Sequence, residues 1–326
     1  MKIAVMGTGA MACLLGGRMI QGGNDVVFVS NWKENIEVLN KKGLCIIDGN
    51  TGQEEHISVR ACSSADDALQ ILDAKPDVIL IMCKGPQTEK TTYSALPLAD
   101  EGTLFLSLQN GLGNDEIIAA IAGSHRVFYG SASIAALIPE PGAVRDNTNR
   151  NRSPLISVLP CDAMMDERLG RISELCSSMG YSVLVGPGAE INIWNKLAIN
   201  CCANAISAVT RLQNGVYSED KNGQSLIARI CEEVAAVGIA RGIDTSAEAL
   251  NAYCRKTFHG QMHLSSTLQD VLHHRPTEID FISGAIVKEG KKYGIPTPVC
   301  ETMYELVKCI SDNYEKMQGV EIKSYM

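Results

Sequence analysis

Apolar and polar positions keep one rhythm over the first half of the chain and another over the second. An uninterrupted run, Lys2-Ile3-Ala4-Val5-Met6, leads into Gly7-Thr8-Gly9 and a helical pattern from Ala10 to Ile20, which Gly22-Gly23 stops before a second apolar run at Asp25 to Val29. Further apolar runs bounded by turn residues fall at 77–82, 103–108, 126–130, 155–159 and 181–185, with helical patterns between several of them. Strand alternating with helix predicts an α/β unit built on a doubly wound parallel sheet. Around Gly186-Pro187-Gly188 the rhythm changes, and from Ala189 onward the periodicity is helical almost throughout. We therefore expect two domains, 1–187 and 188–326. The stretch 139–152 is polar and turn-rich, which predicts an exposed loop.

Composition narrows the picture. The chain has 326 residues, 45% of them hydrophobic, enough for a core in each of two domains. Aromatic residues make up only 5%, so layers of Val, Ile, Leu and Ala fill the interior, as suits parallel strands covered by helices. A net charge of −8 with no basic stripe argues against nucleic acid as a partner. No apolar run reaches membrane length, and the opening MKIAVMG reads as a strand rather than a signal peptide. Twelve cysteines lie in apolar segments without a C-x-x-C pair, which predicts buried, reduced thiols and a cytoplasmic setting. Cys201-Cys202 reads as packing, because helical neighbours point to different faces. The six histidines show no metal spacing, and adjacent His273-His274 suit a solvated helix end, so no metal is expected.

The glycine turn carries the clearest chemistry. In Gly7-Thr8-Gly9-Ala10-Met11-Ala12, Gly7 permits the tight turn, Gly9 lets the backbone approach a pyrophosphate, and small Ala12 lets the helix lie close to the strand. The helix N-terminus then favours an anion. Cofactor choice turns on the end of the second strand, which reads Ser30-Asn31-Trp32-Lys33. It lacks the acid that would bind a ribose hydroxyl, and Ser30, Asn31 and Lys33 offer donors to a 2′-phosphate. This points to NADP, with NAD as the alternative if Lys33 is only a solvated first-turn residue. Two further loops, Lys84-Gly85-Pro86-Gln87 and Gln109-Asn110-Gly111, follow strands at the edge where such sheets bind ligands. Asn110 can bridge the nicotinamide region and a substrate oxygen, or simply supply an Asn-Gly turn.

In the helical half, Lys196, Asn200 and Asn204 recur every four residues on one face of an otherwise apolar helix. A desolvated lysine beside two amides is costly unless something polar meets it. A bound ligand would meet that need, and burial would lower the lysine pKa toward a usable proton donor. The competing explanation is a structural ion pair. Ser266 with Gln269 and Thr277 with Asp280 each fit a capping box, with Glu278 as a first-turn acid. Ser266 at a cap also offers a carboxylate site, and Glu278 is a natural charge partner for Lys196.

With these residues in view, the chain resembles the ketopantoate reductase family over nearly its whole length. The likeness rests on GTGAMA at Gly7, the Lys84 loop, Gln109-Asn110-Gly111, Trp194-x-Lys196 with Asn200 and Asn204, Ser265-Ser266-x-Leu268-Gln269-Asp270, and Thr277-Glu278-Ile279-Asp280 followed by Gly284. It implies a Rossmann domain joined to an all-helical domain like that of 6-phosphogluconate dehydrogenase. It also implies NADPH-dependent reduction of 2-dehydropantoate to pantoate, a step toward coenzyme A. By this resemblance Lys196 is the general acid and Glu278 orients substrate and lysine. Ser266 holds the carboxylate, Asn110, Asn200 and Asn204 line the substrate site, and Lys84 lies against the cofactor. A homodimer is the implied assembly.

Two departures bear on that reading. Asn31 stands where family members often carry an arginine, and the segment at Arg145-Asp146-Asn147 lacks the usual His-x-Gly run. The stretch Gly22-Gly23-Asn24-Asp25-Val26 followed by Trp32 is similar to NAD-dependent D-2-hydroxyacid dehydrogenases of the mandelate type, the alternative reading. A non-catalytic NAD(P)-binding sensor is a third, which the combination of Lys196, Glu278 and Asn110 argues against.

Overall fold

A computed structural model describes residues 1–262 and 264–317. The chain divides into two compact units, one of residues 1–109 and 113–193, the other of 110–112 and 194–326.

Unit 1 begins β1 (Lys2–Met6), α1 (Ala10–Gln21), β2 (Asp25–Val29), α2 (Lys33–Lys42), β3 (Leu44–Asp48), β4 (Glu54–Ile57), β5 (Arg60–Cys62), α3 (Ala65–Leu72) and β6 (Val78–Ile81). It continues α4 (Thr88–Ala95), β7 (Leu104–Ser107), α5 (Asn114–Ala122), β8 (Val127–Ala132), β9 (Ala136–Leu137), β10 (Ala143–Asp146), β11 (Ile156–Pro160), α6 (Arg168–Ser178) and β12 (Val183–Val185). Eight strands form one sheet in the order β12-β11-β8-β7-β6-β1-β2-β5. From β5 to β8 every pairing is parallel, and the order reverses between β1 and β6. That is a Rossmann arrangement, with its switch point beside the glycine turn.

The strand sequences explain why both sheet faces are covered. Ile3, Val5, Val26, Phe28, Leu80 and Leu106 enter one apolar cluster. Their neighbours Ala4, Met6, Val27, Val29, Ile81 and Phe105 enter the other. Successive side chains point to opposite faces, so a continuous apolar run marks a strand buried on both sides. Each Val, Leu, Ile, Phe or Met among them contributes about 1.5–3 kcal/mol when fully buried.

One edge of the sheet departs from the parallel pattern, and one expectation needs correction. β11 runs antiparallel to β8, because no helix lies between Ala132 and Ile156 to carry a parallel crossover. The stretch 139–152 is not simply an exposed loop. It contains β10, which pairs parallel with β3 and antiparallel with β9 in a second sheet of order β4-β3-β10-β9. Val144 is fully buried there, and the Asp146 carboxylate is buried among polar partners. It accepts from Tyr181 Oη at 3.0 Å and pairs with Arg150 at 3.1 Å and Arg18 at 3.6 Å. Asp146 and Thr148 are buried, with the Asp146 carboxylate paired and Thr148 Oγ1 accepting from Ala135 N at 3.2 Å, which makes their burial tolerable, while Glu140, Asn147, Asn149, Arg150 and Asn151 are exposed as a loop would be.

Unit 2 is helical: α7 (Ala189–Thr210), which enters it at Trp194, α8 (Asn214–Glu219), α9 (Lys221–Ala240), α10 (Ala247–Phe258), α11 (Ser266–Leu272), α12 (Ser283–Tyr293) and α13 (Pro298–Ser311). Its core gathers Trp194, Ile206, Tyr217, Val234, Phe258 and Ile286. The Trp194 indole is held in register by donation from Nε1 to the Val234 carbonyl at 3.2 Å. Among the described residues no helix is long and apolar enough to cross a membrane.

Candidate functional site

In unit 1 the glycine turn is defined by sterics. Gly7 has φ +133°, and a Cβ there would lie 2.9 Å from the Met82 carbonyl oxygen, so no other residue fits between β1 and the end of β6. A Cβ on Gly9 would meet nothing within 4 Å, which leaves the space in front of the α1 N-terminus open. Gly9 caps α1 without a side-chain hydrogen bond, and the first turn holds no acid. The donors and positive dipole end there are therefore not answered by a side chain, and a dinucleotide pyrophosphate fits. Ala12 is fully buried beneath the turn, its Cβ 3.7 Å from where a Cβ on Gly7 would stand.

The turn is braced from beneath. Thr8 Oγ1 donates to Ser30 Oγ at 2.8 Å, which ties it to the end of β2. Ser30 Oγ also accepts from Trp32 N at 3.2 Å, so its own proton remains to donate outward. Fully buried Asn35 donates to the Thr8 carbonyl at 3.0 Å and accepts from Gly142 N at 2.7 Å. The Cys13 thiol donates to the same carbonyl at 3.3 Å, and burial pushes its pKa up to about 12. It is an inert packing group. Asn31 and Lys33 are exposed just beyond β2.

Lys84 is exposed and stands before the short 3-10 turn Gly85–Gln87. A buried polar chain fixes its loop. Gln109 Nε2 donates to the Cys83 carbonyl at 2.9 Å and to Thr88 Oγ1 at 2.8 Å, while Oε1 accepts from Ser107 Oγ at 2.8 Å. Thr88 Oγ1 donates onward to Asn114 Oδ1 at 2.8 Å. Sequence reasoning gave Gln109 no role, nor Asn35, Thr88 or Asn114. The available signal was an amide or hydroxyl directly after an apolar strand or inside an apolar helix face, where burial demands a partner.

In unit 2 a second polar set forms along α7. Lys196 is half-buried, Asn200 and Asn204 are buried, and all three share one helix face. Asn200 Nδ2 donates to Asn110 Oδ1 at 3.3 Å. Asn110 is held by its successors: Gly111 has φ +89°, a Cβ on it would overlap the Phe281 carbonyl oxygen, and Leu112 N donates to that oxygen at 2.8 Å. The Asn-Gly pair thus makes a required turn and also presents the amide. At the other end of the row, Asn204 Oδ1 accepts from Ser266 Oγ and from Thr267 N, both at 3.2 Å. With the oxygen so engaged, the amide nitrogen is the end of Asn204 suited to donate to a ligand oxygen.

The capping boxes are shifted. Ser265, not Ser266, caps α11, accepting from Leu268 N at 3.1 Å and bonding Ser207 of α7 at 2.5 Å. Ser266 is the first helical residue, exposed, with its hydroxyl turned to Asn204. The Ser265-Ser266-Thr267 triplet left the frame ambiguous by one residue. Thr277 and Asp280 form no box. Glu278 precedes a 3-10 turn of only three residues, Ile279–Phe281, with no side-chain cap, and Asp280 accepts instead from Tyr304 Oη at 2.8 Å. Glu278 itself is buried.

Cysteine reading is also qualified. Cys201 and Cys202 are both fully buried, and Cys202 Sγ lies 4.0 Å from Cys231 Sγ on α9. Cys309 is exposed, and Cys45, Cys83 and Cys161 are half-buried. His273 and His274 are exposed at the end of α11, as a solvated helix end requires.

A Rossmann sheet with an open glycine turn at its switch point, together with a helical unit bearing an amine and a row of amides, defines an NAD(P)-binding oxidoreductase. Known proteins agree on the particular kind. The family sequence model for ketopantoate reductase PanE/ApbA matches residues 3–152, and that for its C-terminal part matches 190–311. The 2-dehydropantoate 2-reductase of Vibrio cholerae is 31% identical over 74% of this chain and 79% of its own length. That of Pyrococcus horikoshii is 29% identical over 94% and 97%. The chain belongs to the ketopantoate reductase family. Among solved structures, D-mandelate dehydrogenase in ternary complex with NADH and anilino(oxo)acetate matches with a TM-score of 0.85 and 25% identity, over 96% of this chain and 99% of that one.

Proposed function

We propose that the protein reduces 2-dehydropantoate to pantoate with NADPH, a step of pantothenate and coenzyme A biosynthesis. The observation that carries this is the row on α7. Lys196, Asn200 and Asn204 share one face, and the two amides are bonded to Asn110 and Ser266 from two other segments. An amine flanked by oriented amides and a hydroxyl suits a small anionic 2-oxo acid.

In this reading the 1–187 domain holds the dinucleotide and the 188–326 domain holds substrate. Backbone at Gly7, Thr8, Gly9, Ala10, Met11 and Ala12 receives the pyrophosphate, Ser30 and Asn31 meet the adenosine ribose, and Lys84 and Asn110 complete the cofactor site. Bound there, reduced nicotinamide supplies a hydride to a keto carbon. Lys196 stabilises the oxyanion that develops and gives it a proton from Nζ. Glu278 orients the substrate hydroxyl and the lysine. Ser266 and the Asn204 amide nitrogen hold the carboxylate, and Asn200 with Asn110 fixes the carbonyl end. The working form is taken to be a cytoplasmic homodimer.

A second reading, an NAD-dependent D-2-hydroxyacid dehydrogenase, is favoured by the absence of a cationic residue at Asn31 and by the likeness to D-mandelate dehydrogenase. Initial rates with ketopantoate and benzoylformate, each with NADPH and NADH, separate the two. The proposal expects ketopantoate with NADPH to give the highest kcat/KM. A preference for benzoylformate with NADH would replace it by the second reading, and no turnover in any of the four would leave only a dinucleotide binder.

A further inference from the structure

The outer face of the β3–β4 hairpin carries a thiol, an imidazole and a carboxylate together. Cys45 on β3 pairs directly across from His56 on β4. Cys45 N donates to the Gly142 carbonyl on the opposite side, so Cys45 and His56 form a pair without mutual backbone hydrogen bonds, the kind whose side chains approach most closely. Glu54, two residues from His56, lies on the same face and diagonal to Cys45. Its Oε2 is 3.6 Å from His56 Nε2. One ligand atom from each of the three lies within 4.8 Å of the others.

We propose that Cys45, Glu54 and His56 bind one zinc ion. Sulfur, imidazole nitrogen and carboxylate oxygen are the donors zinc takes, and three protein ligands leave a fourth position for water. The charges close: one thiolate and one carboxylate balance a divalent ion, with the imidazole neutral. Hard cations such as magnesium do not favour thiolate and imidazole. The hairpin is stiff enough to hold the donors, since Asp48 Oδ1 accepts from Asn50 N and Thr51 N at 2.8 Å each within its turn. His56 and Glu54 are exposed, so the ion needs no opening of the core to enter.

The other sulfur cluster fits less well. Cys202, Cys231 and Cys254 have Sγ atoms 4.0 and 3.9 Å apart in sequence order, but all three are fully buried. Three thiolates around a divalent ion would leave an uncompensated charge in an apolar core. These thiols are packing groups.

The test is titration of the full chain, kept reduced, with cobalt(II) as a spectroscopic stand-in and then with zinc against a competing chelator. The expected result is one equivalent of cobalt giving a thiolate-to-metal charge-transfer band, displaced by zinc and indifferent to excess magnesium. Cys45→Ala should abolish the band, His56→Ala should weaken zinc binding about tenfold or more, and Cys309→Ser should change neither. Zinc should also slow amide exchange in 44–57 of the wild-type chain and not of Cys45→Ala. A band that survives Cys45→Ala, or zinc bound no more tightly than magnesium, overturns the proposal. Exposed His56 and Glu54 can be replaced without loss of the fold, so a folding failure of Cys45→Ala would not block the test.

Discussion

At the glycine turn of unit 1 the groups that face a ligand belong to the backbone, whereas along α7 of unit 2 they belong to side chains. The turn works because something is missing: a Cβ at Gly7 would strike the Met82 carbonyl, and nothing stands before Gly9. The α7 row works because each amide is held by a partner, Asn200 by Asn110 and Asn204 by Ser266 and Thr267. Backbone donors suit a phosphate whatever group it carries, and at Gly7 they tolerate no added Cβ. A side-chain site can be retuned residue by residue. Under the proposed function, substrate choice would reside in unit 2 and be open to change, while the glycine turn is fixed by geometry at Gly7.

That contrast can be broken by substitution. The largest effect is expected from Gly7→Ala, where positive φ and the Met82 contact each cost about 1–3 kcal/mol; thermal unfolding and NADPH fluorescence titration should both show the loss. Asn204→Ala leaves buried Thr267 N and the Ser266 hydroxyl without their acceptor, and KM for the 2-oxo acid should rise about tenfold or more with NADPH affinity unchanged. Gln109→Ala removes the brace on the Lys84 loop. It should cost about 1–2 kcal/mol of stability and weaken NADPH binding, with KM for the oxo acid little moved. The smallest effect belongs to Ser265→Ala, a lost helix cap of about 1 kcal/mol, read in denaturant unfolding with kinetics near normal.

Sequence alone revealed what depends on local pattern. The run Lys2–Met6 followed by two glycines could only be strand and turn, and the 3.6-residue rhythm of α7 put Lys196, Asn200 and Asn204 on one face. What it missed depends on partners distant along the chain. β10 was hidden because Asp146 reads as solvent until Arg18, Arg150 and Tyr181 are placed around it. The α11 cap slid by one residue because Ser265 and Ser266 are equal as caps, and Ser207, 58 residues away, selects the first. The pairing of Cys45 with His56 was invisible because ligand spacing was sought along one segment, whereas the two donors meet across a hairpin.

The proposed reduction depends most on Lys196 as the proton donor for the substrate carbonyl. Lys196→Ala, assayed for ketopantoate turnover and, in the same preparation, for NADPH binding by fluorescence, tests it most directly. Removal of a general acid should lower kcat by about 10²–10⁴-fold while the dissociation constant for NADPH stays at its wild-type value. Turnover within a few fold of wild type would contradict the account, because the α7 row would then hold substrate without contributing to the chemistry.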